Sequence, residues 1–296
     1  MKKRSLIATA GVLAAGGAAA LAYASLIERF RFQLRRFDVP VLAPDTEPLR
    51  ILHISDLHLS PNSHKEVEWV ASLAALDPDL VVLTGDNLAH PEAVSTVSAA
   101  LEPLFTYPGV FVFGSNDYYA PVLKNPFTYF NPNREHKYGE ELPTEELRKM
   151  LTGAGWRDLN NATTTIPIAD RTIAVAGVDD PHFDLDDYDL IAGEAPTDAS
   201  VTLGLTHSPE PRVLDQMAAD GYQLLLAGHT HGGQVCVPGY GALVTNCGID
   251  RKRVKGLHRY GSSWLHVSAG LGTSPYAPIR FACHPEASIL TLIPRT

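Results

Sequence analysis

Ile51-Leu52-His53-Ile54-Ser55-Asp56-Leu57-His58 is the stretch on which the fold turns. Ile51–Ile54 is a short apolar run of the kind that forms a buried strand, and it stops abruptly at polar residues with ligand chemistry. The same event recurs downstream. Leu80–Leu83 stops at Thr84-Gly85-Asp86, and Val110–Phe113 stops at Gly114-Ser115-Asn116-Asp117. Between these runs Val67, Val70, Leu73, Ala74 and Leu76 repeat at helical spacing, and Pro91–Leu104 reads as a second helix. Strand, helix, strand, helix, strand predicts right-handed βαβ units and an open parallel or mixed sheet.

Farther along, residues 118–143 are rich in Pro, Asn and Tyr and read as a long insertion loop, followed by a helix over Thr144–Leu151. Strands are predicted at 165–168 and 172–177. Val201–Leu205 and Leu224–Ala227 then end in Thr206-His207 and Gly228-His229-Thr230-His231. Short strands such as 264–268 and 288–293 close the chain. Five strands thus deliver Asp56 with His58, Asp86, Asn116, His207, and His229 with His231 to their carboxyl ends, where open α/β sheets bind ligands. Carboxylate, amide and imidazole donors suit Mn, Fe or Zn. Seven such side chains are too many for one tetrahedral ion. They suit two divalent ions sharing a carboxylate, which at about 3.5–4 Å apart can clamp a phosphoryl group and lower the pKa of bound water to about 7. The i, i+2 pairs Asp56/His58 and His229/His231 put two donors near one side of extended backbone. Gly85, Gly114, Gly228, Gly232 and Gly233 permit tight turns beside them. No P-loop, GxGxxG or GxSxG pattern competes.

Composition agrees with a folded globular chain. The 296 residues are 45% hydrophobic and 19% charged, enough for a sizeable packed core. The net charge of −9 argues against a basic nucleic-acid binder, so no nucleic-acid partner is expected. Charge is uneven. Residues 1–50 carry eight basic and four acidic side chains and are +4, leaving −13 for the rest. Cys236, Cys247 and Cys283 are no disulfide scaffold and read as three small buried side chains, although one Cys236–Cys247 bridge is conceivable in an oxidising compartment. Nothing specifies an oligomeric state.

Lys2, Lys3 and Arg4 precede 23 uncharged residues, Ser5–Ile27. As a helix this run would span roughly 35 Å, enough for a bilayer core of about 30 Å. A membrane anchor is one reading. A cleaved signal peptide is a second, because Ala22-Tyr23-Ala24 fits a small-x-small site, and a buried soluble helix is a third. The run's length favours a single-pass anchor in the cell membrane, and cleavage would instead export the protein. Residues 1–37 are therefore assigned to this segment and its basic flank, in which arginines interleave with Phe30, Phe32, Leu34 and Phe37. That flank reads either as a surface lying on anionic lipid or as an edge strand. Residues 38–49, with Pro40, Pro44 and Pro48, read as a linker, and 50–296 as the catalytic domain.

Asp56-x-His58, Gly85-Asp86, Gly114-x-Asn116-Asp117, His207 and Gly228-His229-x-His231, in this order, resemble the motifs of the calcineurin-like metallophosphoesterase superfamily. Gly228–Gln234 and the tail from Ser268–Gly272 to Pro285-Glu286 are most similar to its bacterial branch with an N-terminal membrane segment or export signal. The resemblance covers roughly residues 50–296. It implies a four-layer α/β/β/α sandwich of two mixed sheets and a binuclear site. By that likeness Asp56, His58 and His231 hold one ion, Asn116, His207 and His229 the other, and Asp86 bridges. A bridging hydroxide then attacks phosphorus in line. The third motif departs from the family's Gly-Asn-His-Asp/Glu. Either Ser115 or Asn116 is the amide-position ligand; Asn116 is preferred because serine is a poor ligand. Asp117 then falls where the family has its leaving-group histidine, which makes Asp117 and His229 the catalytic candidates.

Three weaker features remain. Asp179-Asp180-Pro181-His182 reads as a capped turn or as part of the site wall. The basic run Arg251, Lys252, Arg253, Lys255, His258 and Arg259 is a solvated face or a receiver for anionic head groups. Tyr118, Tyr119, Tyr129 and Phe130 are candidates for shaping a pocket. The expectation is a metal-dependent phosphodiesterase acting on a phospholipid or cell-envelope phosphate ester near a bacterial membrane. A phosphomonoesterase, a nucleotide pyrophosphatase or a disabled metal-binding envelope protein are the alternatives.

Overall fold

The structure, a computed structural model, describes residues 15–123 and 138–295. The chain runs α1 (15–26), β1 (Gln33–Leu42), β2 (Leu49–Ile54), α2 (His64–Ser72), β3 (Leu80–Thr84), α3 (Val94–Leu101), β4 (Gly109–Val112), α4 (Ser115–Tyr118) and α5 (Thr144–Gly153). It continues through β5 (Arg157–Asp158), β6 (Ala162–Ile168), β7 (Arg171–Gly177), β8 (Val201–Leu205), α6 (Pro211–Ala219) and β9 (Leu224–Ala227). A small hairpin of β10 (Cys236–Val237) and β11 (Gly241–Ala242) precedes β12 (Gly256–Tyr260), β13 (Ser263–Val267) and β14 (Glu286–Pro294).

These strands build two mixed six-stranded sheets, ordered β1-β14-β2-β3-β4-β5 and β12-β13-β9-β8-β7-β6. In the first, β2 to β5 run parallel and β14 is antiparallel to β2. In the second, β7, β8, β9 and β13 are parallel, with antiparallel β6 and β12 on the edges. Alternation along β3 shows how the layers arise. Leu80 and Val82 face the second sheet and pack with Leu203, Leu205, Leu224 and Leu226. Val81 and Leu83 face outward onto Val97, Leu101 and Leu147 of α3 and α5. Both faces of β3 are buried, so its sequence is apolar without interruption. On the far side, Leu225 and Leu265 pack with Val213, Leu214 and Met217 of α6. Helices therefore cover the outer face of each sheet.

The expected linker at 38–49 is corrected. Strand β1 pairs in parallel with β14 from Gln33 to Leu42, so residues 33–42 belong to the sheet. The prolines there are misleading, because Pro40 sits on an edge strand at a register irregularity, where its missing N–H breaks no inner ladder. Of the alternatives for the basic flank, its second half is the edge strand. Residues 1–14 of the expected membrane segment lie outside the described residues. The rest includes α1, exposed along most of its length. Among the described residues no helix is long and apolar enough to cross a membrane. The C-terminal end of α1 and the turn after it are docked to the body. The Arg280 N–H donates to Ala24 O at 3.2 Å, and the Cys283 N–H donates to Oε1 of buried Glu28 at 2.9 Å. Residues 124–137 of the expected insertion, with Tyr129 and Phe130, also lie outside the described residues.

The Cys236–Cys247 pairing is not made. All three cysteines are free thiols, and Cys236 neighbours Cys283 instead, both Sγ atoms approaching Gly232 O at 3.3 and 3.5 Å.

Candidate metal centre

Strand register sets the site. Because β2, β3, β4, β8 and β9 end at one edge of the facing sheets, the residues that follow them converge. The turns are sharp. Asp56, His58, Asp86, His229 and His231 all have left-handed backbone, with φ of 52°, 44°, 56°, 69° and 48°. Such conformations cost of order 1–3 kcal/mol each for non-glycine residues and persist only where surrounding structure enforces them. Here the enforcement is visible: the Asp56 N–H donates to Gly85 O and the His58 N–H to Asp86 O, each at 2.9 Å. Glycines act partly as expected. Gly85 has φ +83°, whereas Gly114 serves by lacking a side chain, since a Cβ there would lie 2.6 Å from Asp86 Oδ1.

Asp56, His58, Asp86 and His231 place one ligand atom each within 4.8 Å of one another. His58 Nε2 lies 3.1 Å from His231 Nε2 and 3.3 Å from Asp86 Oδ2, and His231 Nε2 lies 3.5 Å from Asp56 Oδ1. Burial holds the His58 imidazole below its usual range, and burial with His58 and Arg280 nearby holds His231 far below it. Two imidazoles and two carboxylates thus gather their ligand atoms in one place. That donor set fits a borderline divalent cation. Asp56 is oriented by its neighbours: the Ser55 hydroxyl donates to Oδ2 at 2.7 Å and the His229 N–H to both oxygens at 3.0 and 3.1 Å. Burial pushes the Asp56 carboxyl up to about 6.

Asp86 faces two ways. Its Oδ2 looks at His58, while Oδ1 lies 3.4 Å from His207 Nε2 and accepts the Asn116 N–H at 2.6 Å. Burial opposes its ionisation, but His207, His58 and the Asn116 N–H outweigh burial and hold it well below the usual carboxylate range. His207 Nδ1 is fixed on Thr84 O at 2.7 Å, and His229 Nδ1 stands 3.3 Å from His207 Nε2. Burial would lower the His207 pKa, yet Asp86, Asp180 and Asp56 raise it well above its usual range. Asn116 joins the cavity wall, its amide nitrogen donating to Tyr119 O at 2.9 Å. All seven sequence-derived ligand candidates are therefore grouped here. His58, Asp86, Asn116, His229 and His231 line a cavity of about 130 Å³, with Asp56 and His207 buried behind them.

Asp117 is a correction. Its carboxylate is fully buried and accepts N–H groups from Gly114, Asp86 and Asn87 at 2.9, 2.8 and 2.8 Å. Burial and Asp86 push its pKa up to about 7, but it is turned into the loops and cannot reach a substrate. It clamps two ligand loops together. Ser115 also lines the cavity, and its hydroxyl donates to Asp180 Oδ2 at 2.5 Å. Asp180 is a cap as well as a wall: its Oδ1 accepts the His182 N–H at 3.0 Å, which aims the turn so that His182 lines the cavity. The His182 ring centroid is 4.5 Å from that of His229. No residue of the basic run lines this cavity among the described residues. Arg251 binds the Tyr240 hydroxyl and Arg259 lies over Trp264 at 3.8 Å.

Two residues were not singled out in the sequence. Arg280 is fully buried, donates to the carbonyls of Ala269, Gly270 and Gly272 at 2.9, 3.0 and 2.8 Å, and reaches His231 Nδ1 at 3.4 Å. Asn246 meets His229 Nε2 with its carbonyl oxygen and its side-chain nitrogen, at 3.3 and 3.2 Å. Neither belongs to a local pattern; only the return of distant loops creates these contacts.

Known proteins are similar to this chain over the stretch that carries the site. A family model described as calcineurin-like phosphoesterase covers residues 49–233. The chain is 26% identical over 288 residues to a Bacillus subtilis (strain 168) protein named uncharacterized metallophosphoesterase YkuE, spanning 96% of this chain and 92% of that one. It is 29% identical over 304 residues to phosphodiesterase YaeI of Escherichia coli (strain K12), spanning 99% of each. Among solved structures, TT1561 of Thermus thermophilus is similar with a TM-score of 0.43 at 14% identity, over 76% of this chain and 91% of that one.

Proposed function

Because the chain belongs to the calcineurin-like phosphoesterase family and is a metal-dependent phosphoric ester hydrolase, we propose that it cleaves phosphodiesters at a binuclear divalent centre. The observation that carries this reading is Asp86, whose two oxygens face His58 and His207 at 3.3 and 3.4 Å. Asp56, His58 and His231 would hold one ion, His207, His229 and Asn116 the other, with Asp86 between them. Bound there, divalent ions acidify water and offset charge on phosphoryl oxygens.

The chain's own residues do the rest. Ser55 and the His229 N–H fix the Asp56 carboxylate, so no reorganisation is needed as charge develops. Thr84 O accepts the Nδ1–H of His207 and so orients the ring with Nε2 facing Asp86 and His229. The cavity admits a phosphoryl group beside Asn116, His229 and His231. A relative named phosphodiesterase, aligned over nearly its whole length, supports a diester substrate.

The apolar leader supports a substrate held at a membrane, a phospholipid or an envelope phosphodiester; Leu21, Leu26 and Ile27 are exposed. The test is metal content of the purified full chain, with turnover of diesters and monoesters in Mn²⁺. Two equivalents per chain and faster diester turnover are expected. One equivalent, or a preference for monoesters, overturns the binuclear or the diester reading respectively.

A further inference from the structure

We propose that His182 holds the leaving-group oxygen of the substrate, a role for which the third motif carries no histidine. The inference rests on the phosphoesterase reading above. Three observations support it. Asp117, which follows Asn116, is locked away among backbone N–H groups of three residues and is unavailable. His182 is half-buried, lines the same cavity as Asp86, Asn116 and His231, and lies with its ring 4.5 Å from His229. Its position is built rather than incidental. Asp180, fully buried, caps the turn at the His182 N–H, and the other Asp180 oxygen takes the hydroxyl of Ser115. The third-motif loop and the 180–183 turn are thereby tied into one unit, and the imidazole is presented from the second sheet's side of the cavity.

In hydrolysis, water oxygen bonds to phosphorus and gives up a proton to solvent, while the P–O bond to the leaving group breaks and its oxygen departs with the electron pair, taking a proton from solvent afterwards. Charge develops on that oxygen, and an imidazole N–H placed beside it stabilises the charge in proportion to how much builds up. Poor leaving groups carry most charge and need the contact most.

The test is a series of aryl methyl phosphodiesters of graded leaving-group acidity, with the Mn²⁺-loaded full chain, His182→Ala and His182→Gln. Removing one such donor typically costs about 10²–10³-fold. A kcat loss of that size is expected for His182→Ala with the poorest leaving groups, shrinking to under about tenfold with 4-nitrophenolate. His182→Gln, which keeps an N–H, should recover part of it. Metal content should equal that of the unsubstituted protein. An equal loss across the series, or none, overturns the proposal, and so does loss of metal in His182→Ala. If the unsubstituted, metal-loaded protein turns over no diester, the phosphodiesterase reading itself has failed.

Discussion

Asp86 concentrates the chemistry of the molecule in one side chain. It is buried, it is held ionised by His207 and His58, and it touches both halves of the ligand cluster. Asp86→Asn keeps the shape but removes the shared charge. It should lower turnover at least about 10²-fold and reduce bound metal, as elemental analysis of the purified variant would reveal. The third motif offers a second test. Asn116 and Ser115 both line the cavity, but the Ser115 hydroxyl is engaged by Asp180. Asn116→Ala should therefore cost more activity and more metal than Ser115→Ala. The reverse order in side-by-side titrations would make Ser115 the ligand.

Elements position these residues through their exits rather than their interiors. Three loops leave β2, β3 and β4 and are held edge to edge by backbone contacts and by Asp117. Its carboxylate takes three backbone N–H groups and the Asn87 amide. In Asp117→Ala those buried donors lose their acceptor, at a cost of roughly 3 kcal/mol or more. A lowered denaturation midpoint with unchanged m-value is the expected signature, together with weakened metal binding because the Asp86 loop loosens. Activity alone would not distinguish this from a catalytic role. Full stability with lost turnover would return Asp117 to the substrate.

At the scale of the whole molecule the two sheets must stay in contact, because the candidate ligands come from both. Asp56, His58, Asp86 and Asn116 follow strands of the first sheet, and His207, His229 and His231 follow strands of the second. Leu226 lies in the core between them. Leu226→Ala should cost about 2–5 kcal/mol and loosen the site as it does so. Metal should act in the opposite direction, since an ion held by Asp56 and His231 would bind only the folded chain. At 100 times the dissociation constant, one such ion adds about 2.7 kcal/mol. A chelator should lower Tm and Mn²⁺ should restore it. A Tm indifferent to both would remove the metal from the fold's stability.

Strand ends and ligand types are local properties, so the amino-acid sequence alone determined them. Leu80–Leu83 is apolar because both faces of β3 are covered, and the run ends where Gly85-Asp86 turns away. The α/β class and the order of the candidate ligand motifs were legible for the same reason. The tertiary structure alone decided three matters, each dependent on residues far apart in the chain. It put Asp117 into a clamp, because its oxygens are satisfied by Asp86 and Asn87 from another loop. It made residues 38–42 part of a strand, because β1 finds its partner in β14 at the far end of the chain. It brought Arg280, Asn246 and His182 against the histidines. Arg280 and His231 stand 49 positions apart, a separation that obeys no periodicity a sequence can display.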